Sequence, residues 1–323
     1  MSLPVVGLVA LAATLALTPL CIAAARRLGV VDRPGALKPQ SAAVPYLGGV
    51  AVLCGTTVGA AVGRPSVLVP LVLATALGVA DDRTDLSPLV RLLGQVAVGG
   101  CVAAVVPLHL PGALGAVLAV VVTVLLVNGV NFLDGLDLLV VGVGTVAAAG
   151  FGLVLHGSGR QLAVALAAAL IGFGCYNRPP ARVYLGDGGS YLVGTTLSVL
   201  LAASWAPGVA TATGVAALAL VAVPAAEVAF AVVRRLRGGG SLSTMLSGDR
   251  GHPYDRLVAR VWPRLRASAA YAVAEGVLAV GAVAAARAGS LPAACAVAVV
   301  AAGLLVAGAA ACGAFTPDVG ARA

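Results

Sequence analysis

Aspartates gather at three places in an otherwise apolar chain, and their types and spacing point to cation and phosphate chemistry. Asp81-Asp82-Arg83 closes one apolar run (GVADDRTDLSP), Asp134 and Asp137 interrupt another (VNFLDGLDLL), and Asp187 opens a third (VYLGDGGSYLVG). With no His or Cys among them, these oxygen donors suit a hard ion such as Mg²⁺, with Mn²⁺ as its substitute. Such an ion is commonly bound by a few carboxylates together with substrate phosphates. Asp134 and Asp137 are spaced to share one face of a helical turn. Glycines 135, 186, 188 and 189 let backbone come close to a phosphate and can expose amides at a helix start. Each motif also has a plain reading: DDR as a solvated loop after a span, GDGGS as a turn and helix cap. Asp134 and Asp137 resist that reading, because VLLVNGVNFLDGLDLLVVGVG is otherwise continuous apolar sequence.

The elements that must hold these residues are membrane helices. Of 323 residues, 60% are hydrophobic and 10% charged, and the mean hydropathy is +1.06. That is too little charge to wet the surface of a soluble domain. Long Ala/Val/Leu/Gly runs favour helices over barrel strands, since a helix pairs its own backbone in lipid. A span takes about 20 apolar residues. Cutting at charges, prolines and turn residues predicts about 11 spans: 3–25, 45–63, 66–80, 89–106, 112–130, 138–156, 161–176, 189–205, 211–233, 268–286 and 292–313. The expectation is an all-α polytopic protein, a single integral-membrane domain over 1–323. Its main cytoplasmic loop is 234–267, with a flexible Gly238-Gly239-Gly240 entry and an amphipathic helix near 254–266. The first apolar stretch has no basic residues before it and Arg26 and Arg27 after it, which marks a span with its N-terminus outside. The six cysteines are scattered without a CxxC pair and read as small buried residues.

The basic residues orient this bundle. Alternating the loops from an outside N-terminus leaves Arg64, Arg160 and Arg287 outside and the other 17 of the 20 Lys and Arg residues inside, with the C-terminus cytoplasmic. The formal net charge of +8 therefore reflects topology, and no nucleic acid is expected. Ten of the twelve carboxylates fall in or beside the same inside segments. The exceptions, Glu227 and Glu275, are expected within spans toward their cytoplasmic ends. The positive-inside rule does not sort acids, so their one-sidedness asks for a cation. Tyr184 and Tyr191 read as interfacial anchors, and His109 and His156 lie at outside span ends.

In order along residues 26–257, KPQSAAVPYLGG (38–49), GVADDRTD (78–85), NGVNFLDGLD (128–137), VYLGDGGS (183–190) and GDRGHPYDRL (248–257) resemble the polyprenyl-phosphate N-acetylhexosamine-1-phosphate transferases. The resemblance implies a Mg²⁺-dependent reaction on the cytoplasmic face of the plasma (inner) membrane. There a polyprenyl phosphate attacks the β-phosphate of a UDP-sugar and UMP leaves, the first membrane step of cell-envelope glycan synthesis. Carried over position by position, Asp81 would be the base toward the lipid phosphate, with Asp82 beside it. Asp187 would bind the metal, and Asn131, Asp134 and Asp137 would bind metal or nucleotide-sugar. Arg250 and His252 would hold the pyrophosphate, and Lys38 would lie near the phosphates. A homodimer is a family expectation. The chain departs from the pattern at Leu138 (usually Gly), Gln40 (commonly His) and Ala43 (commonly Pro). Its His-rich motif is reduced to His252-Pro253-Tyr254-Asp255, and Glu227 stands where an Asp is usual. Those losses favour a small UDP-HexNAc over a peptide-bearing UDP-MurNAc substrate. Two other classes fit the composition: an ion-coupled secondary transporter using membrane carboxylates, and a silent scaffold of an envelope complex.

Overall fold

The computed structural model describes residues 1–33, 42–108, 110, 113–237, 251–260 and 262–315. Lys38, Gln40 and Arg250 lie outside the described residues, as does the Gly238-Gly239-Gly240 run. Among those described, the chain is a helical bundle. Its helices are α1 (Leu3–Leu28), α2 (Gly48–Gly63), α3 (Leu68–Thr84), α4 (Pro88–Val105), α5 (Leu114–Leu133), α6 (Leu139–Val154) and α7 (Gly157–Asn177). They are followed by α8 (Gly186–Ala203), α9 (Thr211–Ala217), α10 (Ala222–Arg237), α11 (Pro253–Ala259), α12 (Arg264–Ala288) and α13 (Leu291–Ala311). Two short strands, β1 (Val31–Asp32) and β2 (Val44–Pro45), pair antiparallel beyond α1.

Each of the eleven expected spans corresponds to a helical segment. Eight segments are long and apolar enough to cross a bilayer, α2 and α6 are shorter apolar helices, and α8, at the eighth expected span, falls in neither group. The ninth expected span is α9 and α10 joined by a 3₁₀ turn, Leu218–Val221. Pro224 in the first turn of α10 has no N–H for an α-helical bond to that turn. The loop boundaries follow local chemistry. Gly29 ends α1 at φ 71°, with its N–H turned back onto Ala25 and Arg26 carbonyls. Ser87 caps α4 by accepting from the Val90 N–H, ahead of Pro88.

The expected helix at 254–266 is corrected. α11 stops at Ala259, and Pro263 is the N-cap of α12. A residue before proline is pushed toward extended backbone, so the Trp262-Pro263 step divides the segment in two.

α8 is the central helix: every residue from Gly188 to Ala202 is buried, against α3, α5 and α2. Its first turn meets α3 and α2 through backbone. A Cβ on Gly78 would collide with the Asp187 carbonyl, and one on Gly49 would collide with the Gly189 amide. These contacts set the distance between the three helices at the end where the acids lie.

Glu275 sits near the middle of α12 rather than toward its end. It is 0% exposed, and neither carboxyl oxygen has a hydrogen-bond partner. A buried polar group left unpaired costs about 1–3 kcal/mol. Glu275→Met is therefore expected to raise the thermal unfolding midpoint of the detergent-solubilised protein. A fall in the midpoint would show that the carboxyl stabilises the fold.

Candidate active site

The three acidic motifs meet at one end of the bundle, where α3 and α5 finish and α8 begins. Asp82, at the end of α3, accepts from the first amides of α8: Asp187 N–H at 3.0 Å and Gly188 N–H at 3.2 Å. A carboxylate on a helix N-terminus answers both the unpaired amides and the positive end of the dipole. Gly186, at φ 73°, makes the turn into α8 just ahead of this contact.

The side chain of Asp187 then points back toward α5. Its Oδ1 accepts from Asn131 Nδ2 at 2.6 Å, and the same amide reaches Ser190 Oγ at 3.1 Å. Asp81 is 5% exposed, and both of its oxygens are engaged. Oδ1 takes the Leu86 N–H at 3.0 Å, while Oδ2 takes the Tyr191 hydroxyl at 2.9 Å and lies 3.5 Å from the Arg91 guanidinium. Burial raises the Asp187 carboxyl above the usual carboxylate range, and the charges of Asp82 and Asp81 raise it further. Neighbouring carboxylates repel unless a proton or a cation lies with them.

Asp134 is the C-cap residue of α5. Burial pushes its carboxyl well above the usual carboxylate range, and the nearby Asp187 and Asp82 push it further. Asp134, Asp187, Asp82, Asp81 and Asn131 are thus brought together.

Asp137 is not. The stretch after Leu133 is a turn rather than a helix, so Asp134 and Asp137 do not share a helical face. Asp137 accepts from the Ala181 N–H at 3.3 Å instead. Its carboxyl is raised by burial and drawn back by that amide and by Arg264. The Tyr184 hydroxyl is pushed up to about 12 by burial and by the charges of Asp137 and Asp32. Asn177 fixes this turn: its Oδ1 accepts from Leu138 N–H at 2.8 Å and its Nδ2 donates to the Val183 carbonyl at 3.0 Å. Leu138 is left-handed, at φ 64°, which gives a physical reason for glycine at this position in the sequences it resembles.

A cavity of about 530 Å³ opens beside the cluster, walled by α4, α5, α8, α10 and α11. Asn131, Asp134, Tyr191, Arg91, Arg235 and His252 give it a polar end. Leu92, Val121, Val124, Leu125, Val228 and Val232 give it an apolar flank. Asp81 and Asp187 stand one hydrogen bond behind this wall, through Tyr191 and Asn131. Its size falls within the usual range for small-molecule sites, about 300–1,000 Å³.

Tyr191 is accordingly not an interfacial anchor: it is 2% exposed and bonded to Asp81. The signal for it was available, since Tyr191 lies one helical turn after Asp187. Arg91 and Arg235 were counted only as topology markers, and nothing local singles out Asn177. The Gln95–Asn128 bond, at 2.6 Å on the cavity wall, was likewise missed.

Fold and site define an all-α polytopic membrane protein with a carboxylate cluster at one bundle end. Residues 65–204, which carry the α3, α5 and α8 motifs, match the family described as Glycosyl transferase family 4. Over 275 residues the chain is 27% identical to the "Probable undecaprenyl-phosphate N-acetylglucosaminyl 1-phosphate transferase" of Bacillus subtilis (strain 168), covering 78% of this chain and 76% of that protein. It is 28% identical to the decaprenyl-phosphate N-acetylglucosaminephosphotransferase of Mycobacterium leprae (strain TN), covering 79% and 77%. It is 27% identical to the undecaprenyl-phosphate alpha-N-acetylglucosaminyl 1-phosphate transferase of Yersinia pestis, covering 70% and 68%. These matches support the family its motifs resemble, the polyprenyl-phosphate N-acetylhexosamine-1-phosphate transferases.

The contact of Gly78 with Asp187 makes a local prediction. Gly78→Val should drive α3 off α8, break the two amide bonds to Asp82 and abolish the function of the site while the protein remains helical. A crystal or cryo-EM structure of the variant with the Asp82–Asp187 contact intact would contradict this.

Proposed function

We propose that this chain transfers a HexNAc-1-phosphate, GlcNAc-like, from a UDP-sugar to a polyprenyl phosphate and releases UMP. The observation that carries the proposal is the convergence of Asp82, Asp187, Asp134 and Asn131 beside a cavity with one polar end and one apolar flank. The relatives' printed names supply the substrate classes, and N-acetylglucosaminyl recurs among them.

The donor set fits Mg²⁺. Its contributors are carboxylate and amide oxygens, and the neighbouring charges of Asp81, Asp82 and Asp187 call for a positive charge among them. Among the described residues no three His, Cys, Asp or Glu side chains already form a metal-binding group. An ion held there would need water and substrate phosphates to complete its shell. Asp187 and Asp134 would hold it, and when bound it would neutralise charge on the phosphate oxygens.

The chain's own groups account for the remaining work. Asp82 fixes the start of α8, so Asp187 is delivered at a set place. Asn131 turns the Asp187 carboxylate toward α5. Arg91 and Arg235 offer cations at the polar end for phosphate, and His252 faces the same space. Leu92, Val121, Val124 and Val232 offer an apolar surface continuous with the bilayer for a polyprenyl chain. Asp137, whose charge is felt at Tyr184, offers an acceptor for the nucleotide-sugar. Asp81, with both oxygens already engaged, would act on the lipid phosphate only after exchanging one of those bonds. The arginine distribution supports a cytoplasmic site in the plasma membrane.

The test uses the purified full chain with Mg²⁺, undecaprenyl phosphate and a panel of UDP-sugars. The expected result is UMP release with UDP-N-acetylglucosamine that depends on both the lipid phosphate and Mg²⁺. Asp187→Asn is expected to lower it about a hundredfold or more. No UMP release with any sugar would overturn the proposal.

A further inference from the structure

A second constellation lines the same cavity as the carboxylate cluster. His252, the N-cap of α11, is 3% exposed, and its Nδ1 is 2.8 Å from Oε2 of Glu227 on α10. The other oxygen of Glu227 accepts the hydroxyl of Tyr271, on α12, at 2.7 Å. Glu227 is 1% exposed, and each oxygen of this buried carboxyl has one partner. A carboxylate only accepts, so Glu227 in its carboxylate form requires the proton of His252 on Nδ1. Nε2 is then the ring nitrogen available to the cavity, which His252 lines.

The ring is held on its faces as well. Tyr254 stacks on it at 5.4 Å and 3°, and Phe132 tilts against it at 5.2 Å and 46°. The Tyr254 hydroxyl is itself tied to the Phe132 carbonyl at 2.8 Å, so the aromatic frame is anchored to the end of α5, just before Asp134. Tilt is thus fixed by rings and tautomer by Glu227. The remaining freedom, rotation of the Glu227 carboxylate, is removed by Tyr271. Partners behind a functional imidazole commonly tune it in this way.

We propose that Tyr271 is a positioning residue that acts through Glu227, keeping His252 with Nδ1–H inward and Nε2 directed at a phosphate of the nucleotide-sugar. The inference rests on the transfer reading proposed above for the identity of that ligand. Nothing in the α12 sequence singles out Tyr271: the contact is made by the fold, which brings α12 against α10.

Two measurements test it. In the first, UMP release from UDP-N-acetylglucosamine is followed for the full chain, Tyr271→Phe, His252→Gln and the double variant. Tyr271→Phe is expected to lower kcat/KM about tenfold. In the His252→Gln background the same change is expected to have no further effect. Parent-like kinetics for Tyr271→Phe, or a full tenfold loss persisting in the double variant, would overturn the proposal. The second measurement does not depend on turnover. The chain has three histidines, so ¹⁵N-histidine spectra can be assigned by comparison with His252→Gln. A protonated, hydrogen-bonded Nδ1 for His252 that shifts in Tyr271→Phe is expected. An unprotonated Nδ1, or a resonance unmoved by the substitution, would refute the relay even if no UDP-sugar supported activity. An inactive parent with the shift present would instead count against the transfer reading alone.

Discussion

The bond between the Asp82 carboxylate and the opening amides of α8 is the contact on which the site depends. It joins the end of one membrane helix to the start of another, with no side chain beyond glycine between their backbones at Gly78. Because α8 is buried along almost its whole length, fixing its first turn fixes the origin from which Asp187, Ser190 and Tyr191 project. α5 then supplies Asn131 and Asp134 to the same point. Carboxylates gathered at a membrane boundary repel one another and resist desolvation. The protein offsets this with helix-terminal amides, the Tyr191 hydroxyl, the Asn131 amide and the Arg91 guanidinium. On the proposed function, a divalent ion and a diphosphate complete the charge balance.

The cavity beside this cluster divides the labour by polarity. Its polar end collects donors from α4, α10 and α11, whereas its flank is bare Val and Leu from α4, α5 and α10. That division suits an amphiphile with a charged head and an isoprenoid body. The turn between α5 and α6 is held in place by Asn177 and the left-handed Leu138.

Much of this was legible in the sequence. Apolar run length and the charges between runs placed a helical segment at each expected span, because lipid leaves a chain few other options. The acids were found because an apolar background makes a carboxylate conspicuous. What stayed hidden was pairing across helices. Asp134 and Asp137 look like partners at their spacing, yet the chain leaves the helix at Leu133 and sends them to different neighbours. Tyr191 resembles an interfacial aromatic until α3 is packed against α8. Glu227 and Tyr271 are far apart in sequence and meet only when α10 and α12 pack. The break at Trp262-Pro263 was readable from the proline alone, whereas the Asn177 clamp had no local signal.

The claim that the cluster at the start of α8 holds a divalent ion against a nucleotide-sugar diphosphate can be tested directly. Mn²⁺ would replace Mg²⁺ in the purified full chain, and its ³¹P hyperfine coupling would be recorded with UDP-N-acetylglucosamine present. The account predicts a resolved phosphorus coupling in the parent protein that is lost in Asp187→Asn. Mn²⁺ that shows no phosphorus coupling in the parent, or an equal coupling in Asp187→Asn, would contradict it.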